Sequence, residues 1–145
     1  MADNLALVRR FVEEFLGRAD MTAADETTAE TVQGITGLKP TGPIDGREEY
    51  KATIKGFVAA FTPGTLEIID QFASADGSRV VTRFHSRQRF EQPFFGIEPT
   101  GKIYLFDETH VARIVDGRIV ENIVSATNLE FEMLMAPVLA PLILK

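Results

Sequence analysis

The hydrophobic period changes once along this chain, and that change restricts the folds open to it. Up to residue 61, apolar side chains recur every three or four positions. Leu5, Val8, Phe11, Val12 and Phe15 share one helical face, and Tyr50, Ile54, Phe57, Val58 and Phe61 share another. From Leu66 onward the period is two. Segments 66–74, 79–91, 102–115 and 118–126 read as strands, with Asp76-Gly77 and Asp116-Gly117 as hairpin turns between neighbours. Helices first and hairpin-linked strands afterwards predict an α+β domain, a curled antiparallel sheet packed against about three N-terminal helices.

Local signals set the expected boundaries. Asp3 or Asn4 caps the first helix and Gly17 ends it; Thr22 and Asp25, at capping-box spacing, open a second that runs to about Glu30. The Gly- and Pro-rich stretch 32–46 reads as a loop with one short strand at most. Pro63-Gly64 stops the third helix. A loop at 94–101 joins the middle strands, and 128–135 reads as a short terminal helix. The arm 133–145 (MLMAPVLAPLILK) is apolar, too short to span a bilayer and broken by Pro137 and Pro141; a packed arm or a subunit contact is expected. With no repeat and no linker, residues 1–145 read as a single domain.

At 145 residues a chain buries enough surface to fold without staples. It has no cysteine, which excludes disulfides, thiolate metal sites and a cysteine nucleophile. A net charge of −6 with scattered Lys and Arg repels phosphate backbones, so no nucleic-acid partner is expected. No apolar signal segment opens the chain, and a cytoplasmic location is the default expectation. Two histidines and acids without ligand spacing predict no metal site, and no phosphate-cradling loop or nucleophile elbow is visible.

Four segments in order, LVRRFVEEF, DGREEYKATIKGFVAAF, GIEPTGK and THVARIVDGRIVE, resemble the SnoaL-like polyketide cyclases of the nuclear transport factor 2-like superfamily. The resemblance runs from about Leu5 to about Leu134. It implies a cone-shaped fold with one internal pocket, and ring closure by an aldol reaction without a cofactor. It places the family's catalytic His at His110. The family's general-base Asp falls at Val124 and a second acid at Thr127; a catalytic carboxylate of limonene epoxide hydrolases, which share the fold, also falls at Val124. Valine has no proton to exchange.

The candidate residues gather on the last hairpin. His110 shares a strand face with Phe106, Glu108, Ala112 and Ile114. A three-residue loop Val115-Asp116-Gly117 sets Asn122 opposite His110 and Val124 opposite Glu108. A two-residue loop sets Ile123 there and turns Val124 away, and the family comparison favours the first register. His110 is then a pocket base or donor assisted by Glu108 and Asn122, or else a histidine satisfied by Asn122 in a polar patch. Glu108 replaces the missing acid from across the hairpin, or pairs with an arginine on a wetted face. Phe90, Phe94, Phe95 and Phe106 are expected to line the pocket beside Val124, which suits a flat apolar ligand; plain core packing is the alternative for each. His85 shares its parity with Arg83, Arg87 and Arg89 and reads as convex-face, and Asp116 reads as a turn residue.

Two functions compete: a cofactor-free acid–base enzyme on a small apolar carbonyl compound, for which His110 and Glu108 speak, and a non-catalytic binding protein, for which Val124 speaks. A third is an epoxide hydrolase. The apolar arm and the convex sheet face predict a homodimer. Sedimentation at micromolar concentration checks this, and a monomer removes the expectation.

Overall fold

The computed structural model describes residues 3–144. Helix α1 (Asn4–Arg10) is capped by the Asp3 carboxylate, which accepts from the Ala6 N–H at 3.0 Å. It continues as a π-helical stretch (Phe11–Leu16) that brings Phe11, Val12 and Phe15 all into the interior. Helix α2 (Met21–Thr27) is capped by Asp20 rather than Thr22.

α2 also stops earlier than its spacing predicts. The Thr27 and Thr28 hydroxyls donate back to the Ala23 and Ala24 carbonyls, both at 2.6 Å, and Thr28 turns to extended backbone. The chain leaves as strand β1 (Thr28–Ile35), where a helix end and a loop are expected from sequence, and β2 (Ile44–Asp45) pairs antiparallel with it. Helix α3 (Arg47–Ala60) leads directly into β3 (Phe61–Ala73). Pro63-Gly64 therefore does not terminate the element as predicted. It falls in a bulge between Thr62 and Thr65 on a sheet-edge strand, where a missing N–H is tolerated.

Strands β4 (Arg79–Phe90), β5 (Ile103–Val115) and β6 (Arg118–Thr127) follow the alternation closely. The sheet order is β2-β1-β6-β5-β4-β3. The pairs from β3 to β6 are antiparallel as predicted, but β1 lies parallel to β6, so the curled sheet is mixed. The bulges in β3 and between β5 and β6 bend it around the helical layer.

The last hairpin corrects both expected registers. Asp116 (φ 51°) and Gly117 (φ 74°) form a two-residue turn, with Val115 paired to Arg118. A bulge at Val120 then adds one residue, so His110 faces Val124, Ala112 faces Asn122 and Glu108 faces Ala126. The extra residue restores the parity that the turn alone reverses, and His110, Glu108, Asn122 and Val124 share one sheet face.

Helix α4 (Leu129–Ile143) is longer than its sequence suggests. Asn128 starts it, accepting from Phe131 N–H while its amide donates to the Leu105 carbonyl, both at 2.8 Å. Pro137 and Pro141 lie four residues apart on the exposed side, in line with the exposed Met133. The carbonyls they leave free, those of Met133 and Pro137, belong to exposed residues, so the helix persists instead of breaking.

Two apolar clusters hold the layers together. One joins Val8, Phe11, Val12, Phe15, Ile44 and Tyr50 to Val80, Phe84 and Ile119 of the sheet. The other stacks Phe61 on Phe90 (4.8 Å) and on Phe57 (4.5 Å), with Phe94, Phe106 and Phe131 edge-on. Gly34, paired to Asn122, leaves room for the Tyr50 ring: an added Cβ would stand 2.8 Å from Tyr50 Cε2. Gly34→Ala is expected to cost about 1–3 kcal/mol through overpacking, read as a lower urea midpoint with unchanged m.

Candidate functional site

A cavity of about 540 Å³ lies between α3, α4 and the concave face of the sheet, and its wall is mostly aliphatic and aromatic. Phe57, Phe84, Phe106 and Phe131 line it together with aliphatic side chains of α3 and α4. The polar residues among them are few: Thr36, Tyr50, Thr53, Ser86, Gln88, Glu108, His110, Asn128 and Glu132.

His110 is 3 % exposed, on the inward side of β5, and the Phe84 ring packs on it at 4.9 Å. Its Nε2 lies 2.9 Å from Glu108 Oε1. Its Nδ1 lies 2.9 Å from the Asn122 amide nitrogen, which also donates to the Tyr50 hydroxyl at 3.0 Å. With the two amide hydrogens directed at Tyr50 Oη and His110 Nδ1, Nδ1 is an acceptor. The imidazole proton then sits on Nε2 and is donated to the Glu108 carboxylate. The order Tyr50–Asn122–His110–Glu108 is a continuous hydrogen-bonded chain from α3 across β6 to β5.

Tyr50 enters this chain from the helix, clamped by the edges of Phe11 (6.0 Å) and Phe15 (5.5 Å). Burial, the largest influence, pushes its hydroxyl up to about 12, while the Asn122 hydrogen bond acts the other way. The phenol thus keeps its proton. Among the described residues nothing accepts that proton, and Tyr50 lines the cavity.

The sequence-derived candidates separate into three groups. Glu108, His110, Val124 and Phe106 line the cavity as expected. Asn122 does not reach it: fully buried, it holds His110 from behind, and its Oδ1 has no partner among the described residues. Phe90, Phe94 and Phe95 are not in the wall. Phe90 and Phe94 are consumed in the aromatic stack around Phe61, whereas Phe95, in a left-handed turn (φ 49°), is 59 % exposed. His85 stands on the convex face 3.6 Å from Asp107, beside the bidentate Arg83–Asp107 pair.

Tyr50, Ser86, Gln88 and α4 are the residues that sequence reasoning missed. Tyr50 has the helical spacing of a core residue, which it also is. Ser86 and Gln88 share the parity of Phe84 and Phe90, and that parity was the available signal. Among the described residues no group of three His, Asp or Glu gathers as a metal-ligand set. No helix among them is long and apolar enough to cross a membrane.

The sequence profile of the SnoaL-like polyketide cyclases matches residues 6–132. The chain belongs to that family. Three solved structures illustrate the shared fold of this SnoaL-like domain. One is a protein from Jannaschia sp. CCS1 assigned to the SnoaL-like polyketide cyclases, with TM-score 0.77 and 17 % identity, covering 95 % of this chain and 92 % of that one. IdmH from Streptomyces antibioticus, for which polyketide cyclase activity is suggested, has TM-score 0.75 and 23 % identity over 92 % and 99 %. AclR from Streptomyces galilaeus, for which a hydroxylase role is suggested, has 0.74 and 21 % over 92 % and 85 %. At these identities the likeness is one of fold. No curated protein matches the sequence.

The Tyr50 environment sets a pH test. A folded pKa raised to about 12 from an ordinary 10 means that stability is complete below pH 10 and declines as pH rises toward 12. Near-ultraviolet titration of tyrosinate is expected to show a component near pH 12 that Tyr50→Phe removes; a Tyr50 component near pH 10 would contradict the buried assignment.

Proposed function

We propose that this SnoaL-like domain is a cofactor-free acid–base enzyme for a flat, apolar carbonyl compound, with Glu108 as the base. The observation that carries the reading is the 2.9 Å His110–Glu108 contact at the wall of an apolar cavity, with the other imidazole nitrogen already engaged by Asn122. The family's acid position holds Val124, directly across from His110. Glu108, on the same face, supports a carboxylate role from the neighbouring strand.

The groups suit proton abstraction next to a carbonyl. The substrate carbonyl oxygen accepts a hydrogen bond from the free Tyr50 O–H, and the Glu108 carboxylate removes a proton from the adjacent carbon. The C–H electron pair moves into the carbonyl, and the resulting enolate oxygen is held by the neutral phenol. His110 Nε2–H keeps the carboxylate aimed, and Asn122 keeps the imidazole in the tautomer that can donate. Reprotonation at another carbon is isomerisation; attack of the enolate carbon on a second carbonyl of the same molecule is ring closure. The apolar walls exclude water that would compete for the enolate.

Val124 favours a second reading, a binding protein that retained the cavity without turnover. Exchange of the α-hydrogens of β-tetralone for deuterium, followed by NMR, separates the two. The enzyme reading expects acceleration over buffer, about 10²- to 10⁴-fold lower in Glu108→Gln and reduced in Tyr50→Phe. Binding of β-tetralone with exchange at the buffer rate would overturn it in favour of the binding protein.

A further inference from the structure

We infer that Ser86 and Gln88 form a second polar anchor in the cavity, which takes a neutral, hydrogen-bond-accepting oxygen at the end of the substrate remote from Tyr50. The inference rests on the proposed reading of the cavity as the working site. On β4, Arg83, Arg87 and Arg89 face solvent, while Val80, Thr82, Phe84, Ser86, Gln88 and Phe90 face inward and are buried. Two consecutive inward positions are thus polar in a mostly apolar wall, an arrangement that is costly unless each group is paired.

The pairing is incomplete in an informative way. The Gly64 N–H, on the edge strand, donates to Gln88 Oε1 at 3.4 Å, which turns the amide nitrogen toward Ser86. Gln88 Nε2 donates to Ser86 Oγ at 2.7 Å. Ser86 Oγ is therefore an acceptor toward Gln88, and among the described residues nothing takes its own proton. Ser86 lines the cavity. Thr82, on the same face, likewise accepts from Gln71 Nε2 at 3.2 Å, but it is not part of the cavity wall, so only Ser86 presents its proton there. A purely structural pair would close on itself; this one leaves a donor to the cavity.

Register places the anchor. Ser86 opposes Phe106, so Glu108 is its diagonal neighbour, about 7–8 Å away between backbone positions. His110 opposes Thr82, four residues along β4 from Ser86, a distance of about 13 Å in extended strand. Tyr50 approaches at that far level through Asn122. Phe84 and Phe106 lie between the ends. The cavity therefore presents an apolar frame with a neutral O–H donor near each end and a carboxylate between. No Lys or Arg is among its described lining residues, so a ketone, quinone or ester oxygen fits and a carboxylate or phosphate does not. The substrate class narrows to neutral, mostly apolar compounds with oxygen acceptors at both ends.

β-Tetralone is the probe, small enough for the cavity to hold one molecule at each end. Intermolecular NOEs to Ser86 and to the Tyr50 ring report the two ends separately in isotope-labelled protein. Both sets are expected. Ser86→Ala should remove the Ser86 set and weaken binding at that end about three- to tenfold, leave the Tyr50 set intact, and be rescued by Ser86→Thr, which keeps the hydroxyl. Contacts at the Tyr50 end alone, or a Ser86→Ala protein that binds unchanged, overturn the anchor and leave the acid–base reading standing. Contacts at the Ser86 end alone sustain the anchor and overturn the placement of substrate at Glu108. A probe that contacts neither end overturns both.

Discussion

The hydrogen bond from Asn122 to the Tyr50 hydroxyl, 3.0 Å long and fully buried, is the constraint on which the rest of this domain depends. It joins the helical layer to the sheet where the surroundings, His110 apart, are apolar. A phenol and an amide withdrawn from water are tolerated there only when each satisfies the other. Phe11 and Phe15 hold the ring from the helix side, and the missing side chain of Gly34 lets it approach β1. The π-helical turn, the short second helix and the parallel β1–β6 pair all converge on this contact.

From that contact the polarity passes outward in one direction. Asn122 orients His110, and His110 orients Glu108, which is the first member of the chain after Tyr50 to meet the cavity with a free acceptor. The cost of the arrangement is visible in the unpartnered Asn122 Oδ1. Its amide hydrogens are spent on Tyr50 and His110, and among the described residues the oxygen has no hydrogen-bond partner. A purely structural core would have placed an aliphatic residue there. The tautomer it imposes on His110 is what a polar residue adds.

The division of phenylalanines decides why a cavity exists at all. Phe57, Phe61, Phe90, Phe94 and Phe131 pack edge-to-face and stacked, and they brace α3 against α4. That brace holds the helices off the concave face near Glu108, where Val124 and Ala126 are too small to fill the gap. The terminal helix closes the space from the other side, pinned at its start by Asn128 to β5. Two of the four aromatic residues that read as pocket lining, Phe90 and Phe94, are thus part of the frame around it.

By itself, the sequence determined the layer order, the four antiparallel strands and the common parity of Phe106, Glu108 and His110 along one strand, because residues two apart in a strand share a face. The side taken by Asn122 and Val124 hung on the register of the last hairpin, which only the family resemblance favoured. It also carried the family resemblance, since motifs in order need no three-dimensional information. Tertiary structure decided what periodicity cannot encode. The Val120 bulge chose the partner of each residue, one inserted position preserving parity while shifting the pairing. Packing made β1 a strand from residues that read as a helix end and the start of a loop, and let α4 run through two prolines on its exposed side. Tyr50 became a polar anchor only when a helix and a strand distant in sequence met, because an aromatic on a helical stripe looks the same whether or not its hydroxyl finds a partner.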